Sequence, residues 1–83
     1  MLTSSQHNKK NLSFSVVYEA ASEGGYIAFA PSLLGCHTQG DTLEEAEENI
    51  KEAISLYLES LIAHSESLPS DHRILQGKVD VFI

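Results

Sequence analysis

The feature that most constrains the fold is one long apolar stripe in the second half of the chain. From Leu43 to Ile62 apolar residues recur at spacings of three and four, the period of one face of an α-helix, while glutamates fill most of the opposite side. The stripe consists of Leu43, Ala46, Ile50, Ala53, Ile54, Tyr57, Leu58, Leu61 and Ile62. It predicts a helix from about Thr42 to Ala63. Core contacts are expected from Ile50, Ala53, Ile54, Tyr57 and Leu61.

Both ends of this helix carry local signals. Asp41 and Thr42 can each act as the N-cap, because each has a glutamate three residues further on, as a capping box requires. Glutamates in the first turns also lie at the positive end of the helix dipole. Beyond Ala63 the chain becomes polar and contains Pro69, so the helix should end near Ala63.

Three short strands are predicted before the helix and one after it. Strict alternation marks 12–19 and a mixed run marks 26–30, with Gly24 and Gly25 supplying the turn between them. Residues 36–39 form a third strand and 78–83 a last one. One helix covers only one face of a sheet, which predicts a two-layer α+β domain of order β-β-β-α-β. We expect sheet order 3-2-1-4, with the last strand parallel to the first.

The second predicted strand is apolar on both faces. Ile27 and Phe29 point one way, while Tyr26, Ala28 and Ala30 point the other. The helix can cover one of these faces, and a chain of 83 residues buries only a small core. We therefore expect a homodimer or higher homo-oligomer, formed through the other sheet face or through a sheet edge.

Composition narrows the possible functions. Twelve acidic residues against five basic ones give a net charge of −7, which argues against a phosphate-binding surface and favours a basic protein as partner. The single cysteine rules out an internal disulfide, and no apolar run is long enough to cross a bilayer, so we expect a soluble cytoplasmic protein. Residues 1–11 are expected to be a disordered tail and 12–83 a single domain.

Candidate chemical groups are few. Cys36 and His37 are neighbours in a predicted strand, so their side chains point to opposite faces and cannot act together as nucleophile and base. One cysteine and four scattered histidines offer no zinc-ligand spacing. A metal-dependent nuclease would need converging carboxylates, but Glu19 and Asp80 are the only acids of the first and last strands. We therefore predict no catalytic, cofactor or metal site.

The segment from Gly24 to Glu59 nonetheless resembles the signature of the HicB-like antitoxin family. The shared elements are a Gly-Gly-Tyr turn, a proline before a Leu-x-Gly-Cys loop, and Thr-x-Gly-Asp-Thr-x-Glu-Glu-Ala leading into the helix. They lie at Gly24, Gly25, Tyr26, Pro31, Leu33, Gly35, Cys36, Thr38, Gly40, Asp41, Thr42, Glu44, Glu45 and Ala46. Ser32 departs from the pattern, because an acidic residue is common there.

This resemblance implies a partial RNase H-like fold without nuclease activity, whose usual role is to neutralise a small basic mRNA-cleaving toxin of HicA type. Many members add a C-terminal domain that binds the operator. The chain stops at Ile83, so we expect neither that domain nor direct nucleic-acid binding. The candidate contacts with a toxin are Leu33, Leu34, Asp41, Glu44, Glu45 and Glu48. The alternative is a non-catalytic structural or regulatory homo-oligomer without a toxin.

Overall fold

The computed structural model describes residues 12–83, so the predicted tail at 1–11 lies outside the described residues. Three strands precede one long helix: β1 (Val17–Ala20), β2 (Tyr26–Phe29), β3 (His37–Gly40) and α1 (Leu43–Ala63). The strands form an antiparallel sheet of order β1-β2-β3. This arrangement confirms the predicted α+β class, the order of the first three strands and the extent of the helix.

The turn between β1 and β2 follows from its two glycines. Gly24 and Gly25 have φ values of 106° and 78°, which place them in the region that favours glycine. The turn is closed by the Ala21 amide, which donates to the Gly25 carbonyl at 2.9 Å. The aligned ladder then pairs Ala20 with Tyr26 and Val17 with Phe29. β1 is shorter than its alternating sequence predicts, because the ladder begins only at Val17.

The helix starts with the capping chemistry that its sequence predicts. Of the two candidate caps, Thr42 is the N-cap, and its Oγ1 accepts a hydrogen bond from the Glu45 amide at 3.1 Å. The Glu45 carboxylate reaches back to accept from the amide of Asp41. The first bond satisfies a backbone donor that a helix otherwise leaves without an intrahelical partner, and the second fixes the residue before the cap.

The core lies between the helix and the sheet face formed by Tyr26, Ala28 and Ala30. The buried cluster consists of Ala28, Ala30, Leu33, Cys36, Ala46 and Ile50. Of the predicted helix contacts, Ile50 is buried, and the side chains packed around this cluster include Ala53, Ile54 and Tyr57. Leu61 is half-buried, whereas Leu43 and Ile62 are exposed, so the two ends of the stripe extend beyond the core.

The helix approaches β3 closely because small residues face each other. Ala46 is fully buried, and a Cβ atom at Gly40 would lie only 2.5 Å from the Ala46 amide nitrogen. The Asn49 side-chain amide also donates to the Gln39 carbonyl at 2.8 Å. The beginning of α1 is therefore held against the end of β3 by backbone proximity and a hydrogen bond.

The predicted fourth strand is wrong for the described residues. The sheet has three strands there, and the segment 78–83 lies outside it with its Val79 and Val81 side chains 86% and 77% exposed. The chain after the helix is instead tied down further upstream. Asp71 accepts hydrogen bonds from the amide and the hydroxyl of Ser15 and from the hydroxyl of Ser32. The sheet order 3-2-1-4 thus holds only for its first three members.

Candidate partner-binding surface

The predicted acidic contacts lie together at the start of α1. Asp41, Glu44, Glu45 and Glu48 are all exposed, in the residue before the cap and in the first two turns. Glu45 differs from the others because its carboxylate is engaged in the helix cap. The charge that this surface offers to a partner therefore comes chiefly from Asp41, Glu44 and Glu48.

The two leucines of the 31–36 loop have different environments. Leu34 is 93% exposed, in keeping with the predicted contact, whereas Leu33 is only 2% exposed. The Leu33 amide donates to the Ala30 carbonyl at 3.0 Å, and the Cys36 amide donates to the Leu33 carbonyl at 3.1 Å. These bonds turn the loop so that Leu33 enters the core. Because its side chain is already packed in the core, Leu33 is less suited than Leu34 to the predicted contact with a partner, which stays untested.

The acidic surface and Leu34 lie at opposite ends of β3. The loop that contains Leu34 leads into His37, and the acidic surface follows Gly40. A strand of four residues spans about 13 Å, so the structure does not bring the two predicted contact groups together. A partner that touches both groups must extend along the whole length of β3.

Leu34 instead borders a shallow apolar depression on the sheet face away from the helix. Its lining includes Ile27, Phe29, Pro31 and His37. The register places Phe29 beside Val17, which extends the apolar surface onto β1, and beside His37 on β3. Alternation in the second strand already indicated that Ile27 and Phe29 share this face. The position of Leu34 beside them was not foreseen, because it depends on the loop geometry.

The residues that resembled a chemical site are separated by the fold. Cys36 is buried, and this burial raises the pKa of its thiol, which disfavours the reactive thiolate. His37 is exposed on the other side of the strand. Among residues 12–83, no group of three or more His, Cys, Asp or Glu side chains is placed to hold a metal ion. The helix described there is also not long and apolar enough to cross a membrane.

The residues of the motif mostly set backbone geometry. Gly25 has a positive φ, and a Cβ atom on it would lie 2.7 Å from the Gly40 carbonyl oxygen. Gly35 also has a positive φ, of 78°, in the loop that buries Leu33. Thr42 caps the helix, as described above. A chain that keeps these residues in this order therefore keeps this hairpin, loop and helix start.

Comparisons with known proteins agree with that pattern. The UPF0150 protein ssr1765 of Synechocystis is 50% identical over 68 residues, which cover 82% of this chain and 86% of the relative. The UPF0150 protein Ta0767 of Thermoplasma acidophilum is 44% identical over 61 residues, covering 74% of this chain and 88% of the relative. A UPF0150 protein of Helicobacter pylori is 61% identical over a shorter stretch of 41 residues, which cover 49% of this chain and 57% of the relative.

A family model described as the HicB_like antitoxin of bacterial toxin–antitoxin systems matches residues 14–80. That range takes in the whole sheet, the loop that buries Leu33, the helix and the anchoring residue Asp71. The match thus covers most of the chain and every element whose geometry the motif explains. The chain belongs to the HicB-like antitoxin family.

Proposed function

We propose that this protein neutralises a small basic mRNA-cleaving toxin of HicA type by binding it and occluding its RNA-cleaving site. The single observation that carries this proposal is membership of the antitoxin family. The net charge of −7 supports it, because a negative field accelerates encounter with a basic partner. The protein itself acts as a binding module, without catalysis and without direct contact with nucleic acid.

The acidic surface at the start of α1 is our candidate for steering the toxin. Its carboxylates are exposed, and the helix that carries them is fixed against β3 by the Gly40–Ala46 approach and the Asn49 hydrogen bond. A backbone that is already fixed in place needs little reorganisation on binding. Leu34 and its neighbours on the far sheet face supply apolar area at the other end of β3.

Co-expression with the basic protein encoded by an adjacent reading frame tests the role. Production of that neighbour alone should arrest growth, and co-production of this protein should restore growth and allow the two proteins to co-purify. If the neighbour arrests growth and this protein neither rescues nor co-purifies, the antitoxin proposal is wrong. The homo-oligomer without a toxin would then be the better description.

A charge-reversal pair tests the acidic surface. Glu44→Lys combined with Glu48→Lys should weaken toxin binding, and the wild-type affinity should itself fall as salt rises, because the attraction is screened. The matched control is Glu52→Lys with Glu59→Lys, which makes the same change in net charge on exposed positions further along the same helix. Equal losses in both variants would mean that net charge alone matters and that the start of the helix is not the contact.

Lysines near a helix N-terminus also oppose the dipole, so stability needs its own control. Glu44→Gln with Glu48→Gln removes the two charges without adding opposite ones. This variant should bind more weakly than wild type and more strongly than the lysine variant. Thermal unfolding of each variant separates lost binding from lost folding.

A further inference from the structure

The chain beyond the helix runs beside β1 and then continues outside the sheet. Asp71 is bonded to Ser15, just before β1, and Ile74 and Gln76 border a depression shared with residues 15–18. The chain therefore advances in the direction of β1. From Gln76 to Val81 an extended chain covers about 17 Å, whereas only about 7 Å of β1 remain beyond Tyr18. An extended chain of this length would reach beyond the end of β1, in keeping with the position of residues 78–83 outside the sheet.

The segment outside the sheet has the composition of a β-strand without a pairing strand. Odd-numbered positions from Leu75 to Ile83 are apolar apart from Gly77, while Lys78 and Asp80 alternate with them. Leu75 is 81% exposed, Val79 86% and Val81 77%, and Phe82 is fully exposed. Contiguous exposed apolar residues of this kind mark an interaction site. We call the segment Leu75–Ile83 the arm.

The sequence of the arm is complementary to itself. In an antiparallel pair of two arms centred on Val79, Lys78 of one chain faces Asp80 of the other, and the same contact recurs by symmetry. On the apolar side this register places Leu75 opposite Ile83, and Val79 opposite its own copy. This register forms both ion pairs, the Leu75–Ile83 contacts and the Val79–Val79 contact, while Val81 faces Gly77 and Phe82 faces Gln76.

Charge also favours the arm over the rest of the surface as the contact between two copies of the chain. Two chains of net charge −7 repel each other, and the acidic start of α1 concentrates part of that charge. The arm carries one lysine and one aspartate, so its charge is balanced. A two-fold contact between arms therefore brings two acidic domains together at a neutral segment.

We propose that the arm is a dimerisation element, which pairs antiparallel with the arm of a second copy of this chain about a two-fold axis at Val79. Closed two-fold symmetry requires such a contact to be isologous, and two strands related by an axis perpendicular to them are antiparallel. This contact replaces the sheet face and sheet edge that the sequence suggested for self-association. It does not depend on the toxin.

Complementary charge variants test the pairing. Lys78→Asp and Asp80→Lys should each abolish the dimer, because every facing pair then carries like charges. An equimolar mixture of the two variants should form a heterodimer, and the double variant Lys78→Asp, Asp80→Lys should regain the homodimer. Analytical ultracentrifugation at about 10 to 500 µM follows each species against the 9.1 kDa monomer mass. A monomeric wild type, unaffected single variants or an unchanged mixture would each overturn the proposal.

Engineered cysteines test the register independently. Val79→Cys should form an intermolecular disulfide under mild oxidation, because facing Cβ atoms in a strand pair lie about 5 Å apart. Val81→Cys is the matched control, since in this register it faces Gly77 and not its own copy. The native Cys36 is buried and should not compete. Equal cross-linking of the two variants would overturn the register centred on Val79, and far-UV circular dichroism verifies that each variant is folded.

Discussion

The sharpest test of the fold is the close approach of α1 to β3 at Gly40. In Gly40→Ala the new Cβ atom would lie 2.5 Å from the Ala46 amide nitrogen, 2.9 Å from the Glu45 carbonyl carbon and 3.0 Å from the Ala46 Cα atom. Normal contacts between such atoms are about 3.5–4.0 Å. All three neighbours are backbone atoms of the helix, so no side-chain rotation can relieve the overlap. The helix start must move away from β3 by about 1 Å, the shortfall from an ordinary contact distance.

Overpacking of this kind typically costs about 1–3 kcal/mol in the free energy of unfolding. For a domain of this size each kcal/mol lowers the melting temperature by about 4–8 °C, so Gly40→Ala should melt at least about 4 °C below wild type. The movement should also weaken the hydrogen bond from Asn49 to Gln39, which is 2.8 Å long in the native protein. Thermal unfolding measures the first effect, and the NMR shift of the Asn49 side-chain amide measures the second.

Gly77→Ala is the matched control. A Cβ atom there would have no heavy atom within 4 Å, and its φ lies outside the region that strains other residues. Measured at protein concentrations where the arms do not pair, its effect should stay within about 0.5 kcal/mol, as for an ordinary surface substitution. If Gly40→Ala melted at the same temperature as Gly77→Ala, the close packing of α1 on β3 would be refuted.

Three further substitutions probe the core, the cap and the anchor of the chain after the helix. Ile50→Ala should lower the free energy of unfolding by about 2–5 kcal/mol in denaturant titration, because it empties a buried position, whereas the exposed Leu56→Ala should change it by less than about 0.5 kcal/mol. Thr42→Ala should cost about 1 kcal/mol in the same assay, through loss of the cap to the Glu45 amide. Hydrogen bonds from Ser15, chiefly from its amide, lower the pKa of Asp71. The stability that the Asp71 anchor adds to the folded state is therefore complete above the ordinary aspartate pKa of about 3.9. It is lost as the pH falls through the lowered value. The amide NMR signal of Ser15 should follow that titration in wild type and not in Asp71→Asn.

Some elements were predictable because local sequence determines them. The bounds of α1 agree with its apolar period, its capping residues and the polar stretch that follows Ala63. The turn between β1 and β2 was equally predictable from its two glycines, since positive φ values favour glycine. In these places the signal and the structure that it produces lie within a few residues of each other.

Other elements depend on contacts that a linear pattern does not contain. Leu33 and Leu34 are the same residue type, yet turn hydrogen bonds with Ala30 and Cys36 bury the first and expose the second. The alternating segment 78–83 has the composition of a strand, but it lies outside the sheet, and the chain before it is held at Ser15 through Asp71. Strand composition therefore predicts that a segment tends to pair with another strand. Which strand it can reach depends on the contacts that anchor the chain elsewhere.

Ser32 illustrates how such a long-range contact modifies the family pattern. Its hydroxyl donates to Asp71 at 2.9 Å and accepts from the His72 amide at 2.8 Å. An acidic residue at this position would place a second negative charge against the Asp71 carboxylate. The departure of Ser32 from the motif is thus suited to holding the chain after the helix beside β1.

The family motif overlaps the proposed partner surface at Asp41, Glu44 and Glu45, whereas Glu48 and Leu34 lie outside the motif. Gly25, Gly40 and Thr42 act on the backbone: two permit close approaches and one caps the helix. Their substitution would impair toxin binding by distorting the domain, so it could not locate the interface. Glu44 and Glu48 carry exposed charge next to that framework, and Leu34 carries exposed apolar area at the other end of β3. Substitutions of these exposed residues are therefore the better test of the proposed toxin contact, with folding verified separately for every variant.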